Sequence, residues 1–338
     1  MKQKGNQTDK NYRLILVAAI CLAVAALVLT KGKLDISMAG KTLSRPTDTP
    51  LNLEYGLSYH PSSRNILKRD GIILKNFGAE IKAQDLSSGA CLDVSSITAR
   101  SSQPILQISE YVGYLYMYDG ETVYRTNVDG SYLKSAIKDC LKFEPMGNYL
   151  YSLKMHRGNK HLFRCSITGT YEKMLFKENV LDFWAYGGHL LLLSEDRTYH
   201  YYNVLTQNTF THTLPEDAGC ISLDDEGILF LSSAGTSGAP LLYRRPFLSG
   251  QDTPLSALPV ACYSAAEGNI ALIFSSAEKG GWTAAWCASD ESSMHTMTEK
   301  AFSPNCSLDI SSSHLFVTVE DGTTWYTPLS HEDWNILF

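Results

Sequence analysis

The stretch YRTNVDGSYLK at residues 124–134 returns thirty-nine positions later as FRCSITGTYEK at residues 163–173. Both copies have an aromatic residue and Arg at the start, then a Gly, a hydroxyl residue and Tyr in the same order, and both end on Lys. Weaker copies place their turn residues at steps of 41, 39, 39 and 42 positions, at Gly89, Gly130, Gly169, Asn208 and Gly250. Asn is the residue that best replaces Gly where φ is positive, so Asn208 is expected to keep the turn. A period of about forty residues indicates one structural unit that is built repeatedly.

A second marker runs through the chain in parallel with the first. Seven segments begin with a polar or glycine turn and continue as a short apolar or alternating strand: DGIILKN (70–76), VGYLYMYDG (112–120), GNYLYSLK (147–154), GGHLLLLSE (187–195), EGILFLSS (226–233), EGNIALIFSS (267–276) and SSHLFVTVEDG (312–322). Each unit has room for four short strands, and no helical periodicity follows residue 33. This pattern predicts an all-β fold, a seven-bladed β-propeller. A six-bladed ring is the alternative, if one divergent end is an appendage.

The end of the chain bears on how such a ring closes. The seventh unit begins at Ser312 and has only twenty-six residues left, which is enough for three strands. The segment SSRNILKR at 62–69 precedes the first unit and is expected to supply the missing strand. The ring is therefore predicted to close with both ends of the chain in or near one blade.

Composition narrows the class of protein. Hydrophobic residues make up 44% of the chain and aromatic residues 11%, so a folded core is easily supplied. The formal net charge is −6, and it becomes −9 without the first thirty residues. A chain that binds nucleic acid usually carries a basic surface. No nucleic-acid partner is therefore expected.

The N-terminal region predicts a membrane anchor. Residues 14–30, LILVAAICLAVAALVLT, contain seventeen positions without a charge, which is the short end of a membrane-spanning helix. Apolar residues continue after the small residues at 23–25, which favours an uncleaved signal anchor over a cleaved signal peptide. The predicted order is a short cytoplasmic tail (1–13), the transmembrane helix (14–30), a linker (31–57) and the β-propeller (58–338). The C-terminal domain is expected outside the cytoplasm, in a single-pass cell-membrane protein.

Seven of the eight cysteines lie outside this predicted helix: Cys91, Cys140, Cys165, Cys220, Cys262, Cys287 and Cys306. No C-x-x-C pair and no Cys/His spacing of a metal site occurs among them, so neither a metal nor another cofactor is predicted. Several fall at similar places in different units. Buried thiols that fill the core are favoured over disulfide bridges.

The unit GNYLYSLKMHRGNKHLFRCSITGTYEKMLF (147–176) resembles the bacterial extracytoplasmic repeat family described as low-density-lipoprotein-receptor-related β-propeller-like domains. The match is best over residues 111–175 and fades over 187–338. The resemblance implies a propeller fold and a location outside the cytoplasm. Members typically have no assigned catalytic activity.

Two acidic motifs carry a structural interpretation beside a functional one. TVEDGTTW (318–325) approaches the Asp-box of sialidases, with Glu320 where Asp belongs, and in that box the acid caps a hairpin turn. LDDEG (223–227) offers oxygen ligands for calcium, but a solvated turn is favoured. No nucleophile elbow, phosphate loop or H-E-x-x-H motif is present in the sequence.

The sequence therefore favours a membrane-anchored, non-catalytic binding or scaffolding module for a protein or a cell-envelope glycan. The alternative is a propeller enzyme that acts on glycans, which needs convergent carboxylates at the central depression. Rigid aromatic residues near a rim can stack on a sugar or a peptide. On that basis the candidate ligand-binding residues are Trp184, Tyr186, Trp282, Trp286 and Trp325.

Overall fold

The computed structural model describes residues 65–338, apart from 70, 93, 95–102, 128–129, 235–238, 277–280 and 291–292. All regular secondary structure within these ranges is β-strand, as the sequence predicted. A search of the same ranges finds no helix with the length and hydropathy needed to cross a bilayer. The predicted transmembrane helix at 14–30 and the linker at 31–57 lie outside the described residues.

The strands form seven four-stranded antiparallel sheets, so the prediction of seven blades is confirmed. Blade 1 comprises β1 (Ile66–Arg69), β2 (Ile72–Asn76), β3 (Ile81–Asp85) and β4 (Cys91–Leu92). Blade 2 comprises β5 (Gln107–Tyr111), β6 (Tyr114–Tyr118), β7 (Val123–Asn127) and β8 (Lys134–Ile137). Blade 3 comprises β9 (Lys142–Met146), β10 (Tyr149–His156), β11 (Asn159–Ser166) and β12 (Lys173–Met174). Blade 4 comprises β13 (Val180–Tyr186), β14 (His189–Ser194), β15 (Tyr199–Asn203) and β16 (Thr209–His212).

The remaining three blades repeat this plan. Blade 5 comprises β17 (Gly219–Leu223), β18 (Gly227–Ser232), β19 (Leu241–Pro246) and β20 (Thr253–Pro254). Blade 6 comprises β21 (Val260–Ala266), β22 (Asn269–Ser276), β23 (Gly281–Ala288) and β24 (His295–Phe302). Blade 7 comprises β25 (Ser307–Ile310), β26 (His314–Thr318), β27 (Thr324–Pro328) and β28 (Asn335–Leu337).

Within every blade the four strands are neighbours in chain order. The first strands of adjacent blades contact one another, as β9 does with β13 and β13 with β17, so the first strand of each blade lies nearest the axis of the ring. The fourth strands are mostly exposed, as β8 and β16 illustrate, and form the outer rim. We call the face that carries the first-to-second and third-to-fourth turns the lower face, and the opposite face the upper face. In blades 1 and 4 these two lower turns are hydrogen-bonded to each other, through Leu86 N to Gly71 O and Val204 N to Gly188 O.

The grouping of strands and the closure of the ring differ from the prediction. The strand expected to end each unit is the innermost strand of the next blade, so blade 7 starts at Ser307 and is complete. The segment before the first unit pairs within blade 1, as β1 with β2, and does not join the last blade. Because Ser312 lies inside blade 7 rather than at its start, the blade needs no strand from the N-terminal side.

Blades 1 and 7 instead meet through side chains. The Lys75 ammonium donates hydrogen bonds to Thr324 Oγ1 (2.6 Å) and to the Gly322 carbonyl (2.9 Å). An apolar cluster also joins these two blades, and its buried members are Ile66, Ile73, Phe316 and Leu337. Similar clusters lie between other adjacent blades, because a blade buries its two faces only by stacking on its neighbours.

The structure explains the repeated stretch that marks blades 2 and 3. Its arginine lies on the third strand and stacks on the tyrosine that begins the second strand, with Arg125 at 4.4 Å from the Tyr114 ring and Arg164 at 4.0 Å from the Tyr149 ring. A guanidinium over an aromatic face is an attractive cation–π contact. The repeat therefore encodes a specific contact between two strands of one blade.

The positive φ predicted for the turn residue is confirmed in three units and wrong in two. Gly89, Gly130 and Gly169 have φ of +69°, +81° and +81°. Asn208 is not among the residues with positive φ, and the preceding Gln207 takes that conformation instead, at 63°. The reason is that the blade 4 turn is one residue longer: Asn203 N bonds to Asn208 O, whereas Ser166 N bonds to Thr170 O in blade 3. Gly250 also lacks a positive φ, and the blade 5 turn contains a different hydrogen bond, from Ser249 N to Pro246 O.

Candidate ligand-binding surface

Two of the five predicted aromatic residues lie in the core between blades 4 and 5. Trp184 and Tyr186 are on the innermost strand β13, with 8% and 2% of their surface exposed. Both belong to an apolar cluster that also contains Leu223 and Phe230 of blade 5. These two side chains are packing residues between neighbouring blades.

The other three predicted aromatics come together at the boundary of blades 6 and 7. Trp282, Trp286 and Trp325 are partly buried against one apolar cluster, which Trp334 also joins. The Trp286 ring stacks on His295 with 4.8 Å between centroids, and the Lys300 ammonium lies 3.1 Å from the centre of the Trp325 ring. Blades diverge with distance from the axis, so large rings are needed to fill the widening wedge between them. Ligand binding by these residues stays a prediction.

A different pair of aromatic residues is far more accessible. Tyr132 and Tyr171 have 76% and 91% of their surface exposed, the highest values among the exposed large apolar and aromatic side chains of the described residues. We call them the tyrosine pair. They occupy the same position in the repeated stretch, just after the lower-face turn that leads to the outermost strand of blade 2 and of blade 3. The two rings therefore lie on the same face of neighbouring blades.

Both members of the tyrosine pair have an unfavourable backbone conformation. Their φ values are +59° and +58°, in the left-handed region that residues with a Cβ atom rarely adopt. Such a conformation costs about 1–3 kcal/mol and persists only where the surrounding structure imposes it. The same conformation also occurs in other turns of the described residues, for example at Arg157 and Arg197, so what distinguishes the tyrosine pair is its exposure at equivalent positions of two blades.

The turn that carries Tyr171 is held rigidly against blade 2. A Cβ atom added to Gly169 would lie 2.2 Å from the carbonyl oxygen of Ala136, on the outermost strand of that blade. The Tyr116 hydroxyl of blade 2 donates a hydrogen bond of 2.8 Å to the Ile167 carbonyl in the same turn. The blade 3 turn that carries Tyr171 therefore contacts both the outermost and the second strand of blade 2.

Polar side chains lie in the same turns as the tyrosine pair. In blade 3, three exposed hydroxyls form one hydrogen-bonded cluster: Ser166 with Thr168 (2.9 Å), Ser166 with Thr170 (2.8 Å), and Thr168 with Thr170 (3.2 Å). In blade 2, the Asn127 amide donates to Ser131 Oγ at 2.9 Å. A ring face beside exposed hydroxyls offers both the apolar and the hydrogen-bonding contacts that a sugar or a peptide backbone needs.

The acidic motif LDDEG forms a turn in which Asp225 and Glu226 are exposed, as predicted, whereas Asp224 is buried and has a structural role. Asp224 accepts hydrogen bonds from the Gly227 N–H (2.7 Å) and from Arg244 Nη2 (2.5 Å). Burial raises the pKa of Asp224, against the opposing effect of the Arg244 guanidinium. The neighbouring Asp225 lies 3.5 Å from the buried Tyr186 hydroxyl. No group of three or more potential metal ligands occurs among the described residues.

The second acidic motif also holds a turn, but through a different residue from the one predicted. The Asp321 carboxylate accepts a hydrogen bond of 2.8 Å from the Thr323 N–H, and Gly322 takes the positive φ of +85°. Glu320, which aligns with the acid of the Asp-box, does not have this role. The Trp325 side chain packs into the blade boundary, as the box predicts.

The tyrosine pair is not among the residues that the sequence predicts for ligand binding, although both tyrosines lie in the most regular part of the repeat. The signal was a large aromatic residue that recurs two positions after a turn glycine, at Tyr132 after Gly130 and at Tyr171 after Gly169. Strand alternation alone does not distinguish a ring that points to a neighbouring blade from one that points to solvent.

Comparisons with known proteins agree with the propeller class. No protein-family model matches the chain, and no curated protein matches it. A puromycin-hydrolyzing peptidase of Mycobacterium tuberculosis is similar in structure, with a TM-score of 0.55 and 12% identity over 84% of this chain and 56% of that one. This chain thus spans little more than half of that peptidase.

Two further solved structures have lower scores. The N-terminal domain of Nup159 has a TM-score of 0.48 and 11% identity, covering 84% of this chain and 92% of that one. TolB from Acinetobacter baumannii has a TM-score of 0.39 and 14% identity, covering 81% and 80%. At 12% identity, the likeness to the peptidase shows the fold alone. The protein is a seven-bladed β-propeller.

Proposed function

We propose that the protein is a non-catalytic binding or scaffolding module, anchored in the membrane by residues 14–30, and that its propeller holds a cell-envelope glycan or a protein outside the cytoplasm. The observation that carries this proposal is the tyrosine pair: two exposed rings at equivalent turns of adjacent blades, both held in the left-handed conformation.

The geometry favours a ligand that extends across blades 2 and 3. Tyrosine supplies a large contact area at a low cost in conformational entropy, because only two side-chain torsions must be fixed. Since the Gly169 turn rests on the backbone of Ala136, little backbone freedom is lost on binding. The hydroxyl cluster beside Tyr171 makes a glycan the first ligand to test.

The membrane anchor and the location belong to the same proposal. They rest on the uncharged stretch at 14–30, the Thr- and Pro-containing linker at 31–57, and the resemblance of the unit at 147–176 to the bacterial extracytoplasmic low-density-lipoprotein-receptor-related-like repeats. A linker of that composition holds a domain away from the membrane surface. Labelling of the C-terminal domain in intact cells by a membrane-impermeant reagent tests the location, and labelling only after lysis would contradict it.

The binding experiment compares the full-length protein in detergent with Tyr132→Ala and Tyr171→Ala variants. The probes are solubilised peptidoglycan fragments and other cell-envelope glycans, with envelope proteins cross-linked in a second arm. Each substitution is expected to weaken binding about tenfold or more, as for other central aromatic contacts. Leu248→Ala on blade 5 is the matched control, since Leu248 is also an exposed apolar residue at a third-to-fourth-strand turn of the lower face but lies away from the pair.

The outcomes separate the possibilities. Binding that is lost in both tyrosine variants and kept in Leu248→Ala supports the proposal, and the arm in which it occurs identifies the ligand as glycan or protein. Binding that is unchanged in the tyrosine variants refutes the assigned surface. Hydrolysis of the glycan by the wild-type protein would overturn the non-catalytic function in favour of a glycan-active enzyme.

A further inference from the structure

The tyrosine pair belongs to a longer motif that repeats along the outermost strands of blades 2 and 3. The segments are YLKSAIKD (132–139) and YEKMLFKE (171–178), which share Tyr, a Lys two positions later, a second Lys four positions after that, and then an acid. The first lysine, Lys134 or Lys173, begins the outermost strand β8 or β12. The outermost strands β4, β16, β20 and β28 contain no lysine or arginine, and β24 contains Lys300. The two blades that display a tyrosine therefore also place a cation two residues from it.

Each of these two lysines lies opposite an arginine. Lys134 pairs with Arg125 of β7, and Lys173 pairs with Arg164 of β11. Like charges directly opposite each other on a sheet destabilise it. The same unfavourable pair thus occurs at the equivalent position of two adjacent blades, and a bound anion would relieve the repulsion in both.

Lys134 lies on the side of blade 2 that faces blade 3. It is directly opposite Arg125, which is directly opposite Tyr116, and residues opposite each other on adjacent strands share one face of the sheet. The Tyr116 hydroxyl donates a hydrogen bond to the Ile167 carbonyl, in the turn that carries Tyr171. Since Lys134 is exposed, its ammonium is accessible on the side of the sheet where that turn lies.

The charge of blades 2 and 3 is opposite to that of the chain. Residues 107–174, which span the two blades, contain nine basic and seven acidic side chains, a formal charge of +2 in a chain of −6. Glu172, the acid next to Tyr171, forms an ion pair with Lys154 of β10. An anionic ligand is therefore attracted to these two blades more than to the rest of the protein.

We propose that the ligand of the tyrosine pair is an acidic glycan, whose sugar rings stack on Tyr132 and Tyr171 and whose carboxylate or phosphate groups bind Lys134 and Lys173. This inference rests on the proposed function and narrows its ligand from glycans in general to acidic ones. A lysine ammonium is a compact charge with three donors, so it binds either kind of acid. The hydroxyl cluster beside Tyr171 favours a ligand rich in hydroxyls over an acidic peptide.

The test measures binding of oligogalacturonate, which carries a carboxylate on every sugar ring, to the full-length protein in detergent. The fully methyl-esterified oligomer is the matched neutral probe, since it has the same rings without the charge. A phosphorylated mannan distinguishes phosphate from carboxylate. At low salt the acidic oligomer is expected to bind about tenfold more tightly than its ester, and raising the salt to about 1 M should remove most of that difference.

Substitutions separate the contribution of the charge from that of the rings. Lys134→Gln and Lys173→Gln should each weaken binding of the acidic oligomer about threefold and leave binding of the ester unchanged, whereas Lys134→Arg should keep the wild-type affinity. Lys300→Gln is the matched control, because Lys300 also lies on an outermost strand but belongs to blade 6. A variant that folds poorly would lose both probes, and the salt dependence of the wild-type protein tests the inference without any variant.

The outcomes distinguish a failure of this inference from a failure of the proposed function. Equal affinity for the acid and its ester, or Lys→Gln variants that bind the acidic oligomer as tightly as the wild type, would overturn the inference. The proposed function would still stand if the tyrosine variants lose both probes. Binding that persists in the tyrosine variants would refute the assigned surface and the inference together. Tighter binding of polyglutamate than of either acidic glycan would also contradict the inference and indicate an acidic protein segment.

Discussion

Replacing Gly169 by Ala tests the contact that holds the tyrosine pair in place. The added Cβ would lie 2.2 Å from the Ala136 carbonyl oxygen and 2.7 Å from its Cα, so it meets backbone rather than a flexible side chain. Gly169 also has φ of +81°, where any L residue with a side chain costs roughly 1–2 kcal/mol. Relief of the clash requires the turn or the outermost strand of blade 2 to move, which adds about 1–3 kcal/mol, as overpacking does elsewhere.

Gly158→Ala in the same blade separates the two contributions. Gly158 has φ of +88°, but no atom lies within 4 Å of its added Cβ. Both substitutions therefore carry the conformational cost, and only Gly169→Ala carries the clash. The difference of about 2 kcal/mol corresponds to a melting temperature about 4–8 °C lower for Gly169→Ala.

Thermal unfolding followed by circular dichroism measures both variants, and the binding experiment gives a second readout. Since the displaced turn carries Tyr171, Gly169→Ala is expected to weaken ligand binding more than Gly158→Ala does. Equal melting temperatures for the two variants would show that the turn of blade 3 does not rest on blade 2, and the reasoning about a rigid tyrosine pair would fail with it.

Two further predictions concern the ring closure and the buried His212. Lys75→Met should lower the free energy of unfolding by about 1–3 kcal/mol, because the Gly322 carbonyl and Thr324 lose a buried donor. Lys82→Met, at an exposed position, should change it by less than about 0.5 kcal/mol. Denaturant unfolding of both variants checks this, and equal effects would contradict it. Burial lowers the pKa of His212 from 6.5 to about 4, against the opposing effect of its hydrogen bond to the Phe247 carbonyl. The contribution of the neutral imidazole to stability is therefore complete above pH 6.5 and is lost as the pH falls towards 4. The free energy of unfolding at pH 5 is expected to be about 2 kcal/mol lower than at pH 7. Thermal unfolding of the wild-type protein and of His212→Gln at both pH values checks this. A wild-type melting temperature that falls no further than that of the variant would refute it.

Under the proposed function, the tyrosine pair accounts for part of the similarity between blades 2 and 3. Part of the repetition is structural, since Arg125 and Arg164 make the same stacking contact in each blade. The tyrosines add no such contact, because most of their surface is exposed.

The candidate site shows the limit of reasoning from residue type. Trp184, Tyr186, Trp282, Trp286 and Trp325 are the aromatics that the sequence pattern predicts near a rim, and all five lie in boundaries between blades. Large rings are favoured there because neighbouring blades diverge from the axis and leave a wedge to fill. Whether an aromatic residue fills the wedge or faces solvent depends on the packing of the adjacent blade, which is distant in sequence.

The amino-acid sequence by itself determined the number of blades, the four strands in each and the position of most turns. These features follow from local periodicity and from glycines such as Gly130 and Gly169, whose conformation is set within a few residues. Only the tertiary structure decided which strand is innermost, how blade 7 meets blade 1 and why Tyr132 and Tyr171 remain exposed. Each of these depends on contacts between residues of different strands or blades, and a repeat that looks the same in every unit does not specify which surfaces of neighbouring units will meet.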